Sequence, residues 1–254
     1  MINRFYHPSP LKLKQKINLS LTASHHATHV LRLKVEDKII LFHNDSFDYA
    51  AIICKINKKN IEVYVSTKNK NDTHPSINFR LLQSLCSNEK MDWIIQKSVE
   101  LGVNSIVPIY SDRSIIKLKG VRVEKKLLHW RQIIISACEQ SGRSSLPEIC
   151  CPQTLDKYLG SSSKDMKKSL KLILSPKQNN TLKSIARSSP ESIDIMIGPE
   201  GGFTEQEIKH AIKEKFIPIS LGPRVLRTET APLAILSLLP VSYTHLTLPT
   251  MRLV

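Results

Sequence analysis

The sequence predicts an α/β protein in which a small N-terminal β-barrel precedes a larger domain with a mostly parallel sheet. Two patterns support this prediction. Residues 1–70 contain short apolar runs separated by turn residues, which is typical of a barrel of short strands. Residues 76–240 alternate strand-like runs with helical runs, which indicates a parallel sheet covered by helices on both faces. A length of 254 residues is sufficient for two such domains.

The N-terminal region has three strand candidates within the stretch KIILFHNDSFDYAAIICKINKKNIEVYVSTK, separated by the turn-like segments HNDS and NKKN. In the third candidate, Ile61, Val63 and Val65 alternate with more polar residues, which indicates one buried face. Upstream, SHHATHVLRL predicts a short helix. The polar stretch Ser66–Ser76, which contains Pro75, is predicted to be the linker between the domains.

The larger domain has strand patterns in INFRLLQSL, SIVPIY, LKLILSP, IDIMIG and FIPISLG. Helices are predicted in NEKMDWIIQKSVELG, RVEKKLLHWRQIIISACEQSG, TEQEIKHAIKEK and TAPLAILSLL. Thr204 and Glu207 have the spacing of a capping box, and Pro232 suits the first turn of the last helix. Pro240 is predicted to end that helix, so that residues 241–254 form an extended, threonine-rich tail.

The charge balance indicates a polyanionic partner. Lys and Arg total 37 against 22 Asp and Glu, which gives a net charge of +15. Nucleic acid is the first candidate for such a basic chain, and a generic basic surface is the alternative. The five cysteines contain no C-x-x-C pair, which favours reduced thiols over disulfides or zinc.

Other features predict a cytoplasmic protein without a membrane anchor or a metal. No signal-type segment opens the sequence, and no run approaches the roughly 20 apolar residues that a membrane span needs. The HHATH segment places His25, His26 and His29 close together, but no acidic or cysteine partner stands at metal-ligand spacing. We therefore expect no metal.

The segment MIGPEGGFTEQEI, residues 196–208, is the most informative motif. A buried strand is predicted to end at Gly198, followed by a tight turn and a helix, and ligands of open α/β sheets bind beyond such strand ends. Gly201 and Gly202 allow the backbone to approach a ligand closely. The motif is neither the G-x-G-x-x-G pattern nor the lysine-bearing phosphate loop. A plain strand-to-helix turn is the alternative interpretation.

A second segment, SLGPRVLRTETAP, residues 220–232, repeats the order of strand, Gly-Pro turn, polar loop and helix start. If the two glycine bends follow successive strands, we expect them side by side, forming one crevice suited to an adenosine-like ligand. Arg227 and Glu229 flank the helix start and are candidate functional residues. An exposed ion pair of little energetic value is the alternative for them.

Together, IGPEGGFTEQEI and LGPRVLRTETAPLAIL resemble motifs of the RsmE-type family, the 16S ribosomal RNA uridine N3-methyltransferases of the SPOUT class. HHATHVLRLK, EKMDWIIQKSVELGVNSIVPIYSDRS and WRQIIISACEQSGR resemble earlier blocks of that family in the same order, so the likeness runs from Arg4 to about Leu239. The resemblance implies a PUA-like β-barrel followed by a SPOUT α/β domain with a C-terminal trefoil knot. It also implies S-adenosyl-L-methionine as cofactor, a homodimer, and 16S ribosomal RNA or the small ribosomal subunit as substrate.

The resemblance also implies roles for individual residues. Arg227 would orient the uracil or its anion, and Glu229 would hold Arg227 or accept the proton. Glu139 and Arg143, at the end of a predicted helix, would lie near the same crevice, with helix-end solvation as the alternative. The implied cofactor-binding residues are Leu174, Pro176, Ile197, Gly198, Pro199, Glu200, Gly202, Leu221, Gly222, Val225 and Leu226.

The same resemblance assigns RNA binding to the N-terminal region. Its basic residues would contact phosphates, although a solvated basic face is the alternative for any one of them. The candidates are Arg4, His7, Lys12, Arg32 and Lys34. Two rival functions stay open from the residues alone: a non-catalytic RNA-binding ribosome-assembly factor, and a nucleotide-binding enzyme, which the absence of a lysine in the glycine turn disfavours.

Overall fold

The computed structural model describes residues 2–57, 60–71, 77–162, 169–176, 180, 182 and 190–244. The chain forms two compact units, the first from residues 1–74 and 135–146, the second from residues 75–134 and 147–254. Their secondary structure is mixed α/β.

The first unit is built on a five-stranded sheet. Its strands are β1 (Arg4–Tyr6), β2 (Lys16–Asn18), β3 (Lys38–Phe42), β4 (Phe47–Ile56) and β5 (Ile61–Lys70), and their order in the sheet is β1-β3-β4-β5-β2. β1 runs parallel to β3, and the other pairs are antiparallel. Between β2 and β3 lie α1 (Leu21–His25) and one π-helical turn (His26–Val30), where the sequence predicts a short helix.

The alternation predicted for β5 is confirmed, because Ile61, Val63 and Val65 are fully buried in the core of this unit. The predicted linker begins too early, however. Ser66–Lys70 belong to β5, where Thr67 pairs with Ala50 and Lys70 pairs with Phe47. Ladder pairing with the long β4 therefore outweighs the polar composition of this stretch, and residues 72–76 of the predicted linker lie outside the described residues.

The second unit contains a parallel sheet of seven strands. These are β6 (Asn78–Ser84), β7 (Ser105–Tyr110), β8 (Glu148–Ile149), β9 (Gln153–Thr154), β10 (Ser169–Leu174), β11 (Ser192–Ile197) and β12 (Ile217–Ile219). Their order is β12-β10-β11-β6-β7-β8, and β9 also pairs with β7. All of these pairs are parallel, so the predicted sheet type is confirmed.

The described part of the chain contains five further helices: α2 (Asn88–Glu100), α3 (Val121–Ser141), α4 (Leu155–Ser162), α5 (Glu205–Lys213) and α6 (Thr230–Thr244). The C-terminal end of α3 is counted with the first unit and the rest of α3 with the second. The capping box is confirmed, since the Thr204 side chain accepts from the Glu207 backbone and the Glu207 carboxylate accepts from the Thr204 backbone. α2 and α6 contact each other.

The prediction that Pro240 ends the last helix is wrong. α6 continues through Pro240 to Thr244, and residues 245–254 lie outside the described residues. A proline inside a helix costs about 3 kcal/mol. Because Ile235, Leu236 and Leu239 of α6 are fully buried, and each such side chain contributes about 2 kcal/mol, packing of the helix exceeds that local cost.

The expectation that the two glycine bends follow neighbouring strands also needs correction. β11 and β12 precede the two bends, and β10 lies between them in the sheet. Consecutive elements are usually neighbours, but here the chain crosses from β11 to the far side of β10, so that β12 pairs with β10 and not with β11. Among the described residues, no helix is long and apolar enough to cross a membrane, and no group of three His, Cys, Asp or Glu side chains could hold a metal ion.

Candidate functional site

A cavity of about 770 Å³ opens in the second unit at the carboxyl ends of β10, β11 and β12. This volume is in the range of small-molecule sites. Apart from Gly222, every residue that the sequence suggests for the cofactor lines the cavity: Leu174, Pro176, Ile197, Gly198, Pro199, Glu200, Gly202, Leu221, Val225 and Leu226. Arg227 and Glu229 line it as well.

The first bend folds tightly on itself. The Gly202 backbone N–H donates to the Pro199 carbonyl at 2.9 Å, and Gly202 has a φ of 66°, which favours glycine. A Cβ atom on Gly198 would lie 3.1 Å from both the Cα and the carbonyl carbon of Gly202, so only glycine fits there without displacement. The same turn is also held by Arg113, whose Nη1 donates to the Gly201 carbonyl at 2.7 Å.

The two bends are joined by Thr228. Its hydroxyl donates to the Gly198 carbonyl at 2.7 Å and accepts from Nε2 of Gln83, at the end of β6, at 3.1 Å. Thr228 and Gln83 are both buried. The loop after β12 therefore extends past the end of β10 and reaches the ends of β11 and β6, which brings the second bend against the first.

A cluster of charges forms one wall of the cavity. Nζ of Lys90 lies 3.0 Å from Oε1 of Glu200 and 3.6 Å from Oε2 of Glu229, while Nη1 of Arg227 lies 4.0 Å from Oε1 of Glu229. The Glu229 side chain is only 18% exposed, whereas that of Arg227 is 84% exposed. One oxygen of the Glu229 carboxylate thus faces Lys90, and the other faces the guanidinium of Arg227. Because the Arg227 side chain is exposed, its guanidinium is accessible to a ligand.

The electrostatics of this wall favour a charged Glu200 carboxylate beside a neutral Cys86 thiol. Burial tends to raise the pKa of Glu200, but hydrogen bonds from its own backbone and from Lys90 outweigh burial and lower it. The Glu200 carboxylate in turn raises the pKa of Lys90. Burial, together with the nearby Glu200 charge, raises the pKa of Cys86 to about 12, so this thiol stays protonated and is not a candidate nucleophile.

Among the lining residues that sequence reasoning missed, three make polar contacts that shape the site: Lys90, Arg113 and Thr228. Lys90 is 110 positions from Glu200, and Arg113 is 88 positions from Gly201, so only the fold brings them together. Thr228 stands between Arg227 and Glu229 in the motif RTET. This position between two charged candidates was the one signal in the sequence that could have marked Thr228 as part of the site.

Glu139 and Arg143 lie in the first unit, near the end of α3. The Glu139 carboxylate accepts a hydrogen bond from the backbone N–H of Tyr6 at 3.0 Å. Burial raises the pKa of Glu139, which that hydrogen bond opposes, and burial lowers the pKa of Arg143. Neither residue lines the cavity described above, so their predicted roles stay predictions.

The basic candidates of the N-terminal region differ in their surroundings. Lys12, Arg32 and Lys34 are exposed. His7 is half-buried, with Nδ1 2.8 Å from the Ser9 carbonyl. The Arg4 guanidinium is only 10% exposed and donates to both oxygens of Asp48, at 2.7 and 2.8 Å, and to Ser144. Because this internal pairing occupies Arg4, we do not include it in an RNA-binding surface.

Two family profiles match the chain. The RNA methyltransferase domain matches residues 73–240, and the RNA methyltransferase PUA domain matches residues 22–65. Ribosomal RNA small subunit methyltransferase E of Buchnera aphidicola subsp. Schizaphis graminum is 37% identical over 245 residues, covering 95% of this chain and 97% of the relative. The chain belongs to the ribosomal RNA small subunit methyltransferase E family. The Bacillus subtilis member is 32% identical over 84% of this chain and 85% of its own length.

Solved structures agree with the family assignment. The small subunit methyltransferase E of Neisseria gonorrhoeae, crystallised with S-adenosyl methionine, has a TM-score of 0.87 and 36% identity, covering 95% of this chain and 98% of that one. A methyltransferase from Legionella pneumophila in complex with the same cofactor has a TM-score of 0.89, 35% identity and the same coverage. The family recognised from the motifs is therefore confirmed, and the chain is a ribosomal RNA methyltransferase with a PUA domain.

Proposed function

We propose that this protein transfers the methyl group of S-adenosyl-L-methionine to N3 of a uridine in 16S ribosomal RNA. The observation that supports this most directly is the cavity at the strand ends, formed by two glycine bends that Thr228 joins and flanked by Arg227 and Glu229. Its substrate would be free 16S ribosomal RNA or the assembling small subunit, which implies action in the cytoplasm.

The cavity residues fit the proposed cofactor. Leu174, Ile197, Leu221, Val225 and Leu226 offer apolar surface for an adenine ring, and the bends offer backbone amides and carbonyls for its edge. At Gly202 a Cβ atom would meet nothing within 4 Å, so this backbone is open to a ligand. When bound, the cofactor supplies an electrophilic methyl group on a sulfonium, and no metal is needed.

The protein's own residues then have to orient the uracil and to help N3 lose its proton. The N3–H of uracil is a weak acid, and N3 becomes nucleophilic as that proton is lost or strongly polarised. Arg227 is the group that orients the uracil and stabilises the negative charge developing on it, since a guanidinium stays charged and offers several donors. Glu229, 4.0 Å from Arg227, orients that guanidinium or accepts the proton.

We further propose that the second unit is tied in a trefoil knot and that the protein works as a homodimer. The chain leaves β12 at the sheet edge and returns past β10 to meet Gly198, and this path of the C-terminal segment supports the proposed knot. Trp93 of α2, Leu128 of α3 and Leu238 of α6 are exposed apolar side chains, which a second copy would cover. Glu139 and Arg143 would assist the site at the subunit interface. Lys12, Arg32 and Lys34, with His7, would contact RNA phosphates.

The proposed function is tested by incubating 16S ribosomal RNA, free or in small subunits, with the protein and cofactor. Mass spectrometry of the nucleosides should detect N3-methyluridine. Calorimetric titration with the cofactor should show binding in the micromolar range. Binding without product at N3 would contradict the proposed target atom, and absence of binding would favour a non-catalytic role in ribosome assembly.

A further inference from the structure

Lys90 lies in the first turn of α2, a position that is electrostatically unfavourable for a cation. The N-terminal end of a helix carries partial positive charge, so an acidic residue is the usual occupant of the first turn. Here the ammonium group is offset by two carboxylates that come from elsewhere in the chain. Glu200 belongs to the bend after β11, and Glu229 belongs to the loop after β12.

The contact between Lys90 and Glu229 differs from an ordinary surface ion pair. Oε2 of Glu229 is buried and has no hydrogen-bond partner among the described residues, which leaves the ammonium of Lys90, 3.6 Å away, as its neighbouring charge. An uncompensated carboxylate in such a place is strongly unfavourable. The second carboxylate, that of Glu200, lies within 4 Å of the same Nζ atom, so without Lys90 two negative charges would face each other.

We propose that Lys90 is a positioning residue of the methyl-transfer site, holding Glu229 against Glu200 so that the other oxygen of Glu229 fixes Arg227. This inference rests on the proposed function, since it gives Lys90 its effect on catalysis through Glu229 and Arg227. Lys90 also connects the two glycine bends electrostatically, at a point distinct from the Thr228 hydrogen bond. It does not itself touch the reacting atoms.

Lys97 offers a matched control on the same helix. Its Nζ pairs with Glu100 at 2.8 Å, and its side chain is 35% exposed against 31% for Lys90, but it does not line the cavity. We therefore compare Lys90→Met, Lys90→Arg and Lys97→Met with the wild type, after checking the fold of each by circular dichroism. The wild type and Lys97→Met should behave alike.

The first measurement needs neither cofactor nor RNA. Carboxylate NMR of glutamate-labelled protein, with signals assigned through Glu200→Gln and Glu229→Gln, follows the titration of both side chains. In Lys90→Met the titration midpoint of Glu200 should move to higher pH, because the cation that lowers its pKa is gone. The chemical shift of the Glu229 carboxylate should also change, because its neighbouring ammonium is lost. In Lys90→Arg and Lys97→Met both quantities should stay near the wild-type values. An unchanged Glu200 midpoint and an unchanged Glu229 shift in a folded Lys90→Met protein would overturn the proposal.

The second measurement separates positioning from a structural role. In Lys90→Met, kcat should fall about tenfold, while KM for RNA should stay nearly unchanged. The acidic side of the plot of kcat against pH should move to higher pH in this variant. Lys90→Arg should restore most of the activity. In a Glu229→Gln background, Lys90→Met should have little additional effect on kcat. An equal loss in both backgrounds would overturn the proposal. If the wild type forms no N3-methyluridine, the proposed function fails instead, while the NMR titration still decides whether Lys90 sets the two carboxylates.

Discussion

The Thr228 hydroxyl lies 2.7 Å from the Gly198 carbonyl and donates a hydrogen bond to it. The same hydroxyl accepts from Gln83, so a single buried side chain connects the loop after β12 with the ends of β11 and β6. These are the walls of the cavity at the strand ends. Cavity shape therefore depends on a contact that neither glycine bend provides alone.

Replacing Thr228 with Val tests this dependence. Val has nearly the same shape but can neither donate to Gly198 nor accept from Gln83, which leaves buried polar groups unpaired at a cost of about 1–3 kcal/mol each. We expect a lower melting temperature and at least tenfold weaker cofactor binding by calorimetry. Thr228→Ser keeps the hydroxyl and should retain most of the affinity. Equal affinities of the Val and Ser variants would contradict the role given to this hydrogen bond.

Gly198→Ala should damage the same bend by steric means. The added methyl group would lie 3.1 Å from Gly202 Cα and from Phe203 N, closer than ordinary van der Waals contact, so the bend must shift. Gly160→Ala is the control, because Gly160 lies in α4 and a Cβ there meets nothing within 4 Å. It should stabilise the helix by about 0.5–1 kcal/mol and leave cofactor affinity unchanged. Retained affinity in Gly198→Ala would show that the bend is more adaptable than its packing indicates.

The elements that were predictable from sequence are those whose signal is local. The helix α2 and the capping box of α5 follow from residues within a few helical turns, and both predictions are confirmed. β1 and β2 were missed because each has only three residues and, unlike the equally short β12, lies in no apolar run that marks a strand. Their pairing depends on strands far along the chain, such as the Arg4 and Ile40 pair between β1 and β3.

The residues of the candidate site likewise fall into those with a local sequence signal and those without one. Glycine bends have a local signature, so their residues could be named from the motifs alone. Lys90 and Arg113 could not, because their partners are about a hundred positions away and nothing near them marks the contact. The order of strands was also beyond local reasoning, since the position of β10 between β11 and β12 is a property of the whole sheet.

Arg227→Ala should strongly reduce formation of N3-methyluridine while leaving RNA affinity nearly intact. The guanidinium is 84% exposed at the cavity and is expected to act on the uracil rather than to stabilise the fold. Loss of such a charge-stabilising group typically lowers kcat by about 10²–10³-fold. Arg224→Ala, which removes the same charge from another exposed cavity residue, should retain activity. Undiminished product from Arg227→Ala, measured by mass spectrometry, would show that the role of Arg227 is wrongly assigned.

Stability of the first unit should depend on pH through Asp48. Burial tends to raise the pKa of Asp48, but hydrogen bonds from Arg4, Ser144 and Asn71 outweigh it and lower the pKa. For an acid with a lowered pKa, the stabilisation is complete above its unfolded-state pKa of about 4 and is lost as the pH falls through the folded-state pKa. The free energy of unfolding of Asp48→Asn should therefore be lower than that of the wild type by about 2 kcal/mol at pH 7. It should also fall less steeply than the wild-type value as the pH is lowered.

Urea unfolding at pH 7 and pH 3 measures this effect. Asp156→Asn is the control, because the Asp156 side chain is almost fully exposed beside His210 and contributes little. Its unfolding should match the wild type at both pH values. If Asp48→Asn loses as much unfolding free energy between pH 7 and pH 3 as the wild type does, other carboxylates dominate acid unfolding.

Pro240→Ala should raise the stability of the protein. α6 continues through Pro240 to Thr244. A proline inside a helix cannot donate the backbone hydrogen bond of its position, and its ring crowds the preceding turn. Alanine removes both defects, and we expect a gain of about 1–2 kcal/mol, seen as a higher melting temperature. Pro232→Ala is the control within the same helix, because a proline in the first turn replaces an N–H that has no helical partner, so its removal should bring no gain. A melting temperature that does not rise in Pro240→Ala would contradict the cost assigned to this proline.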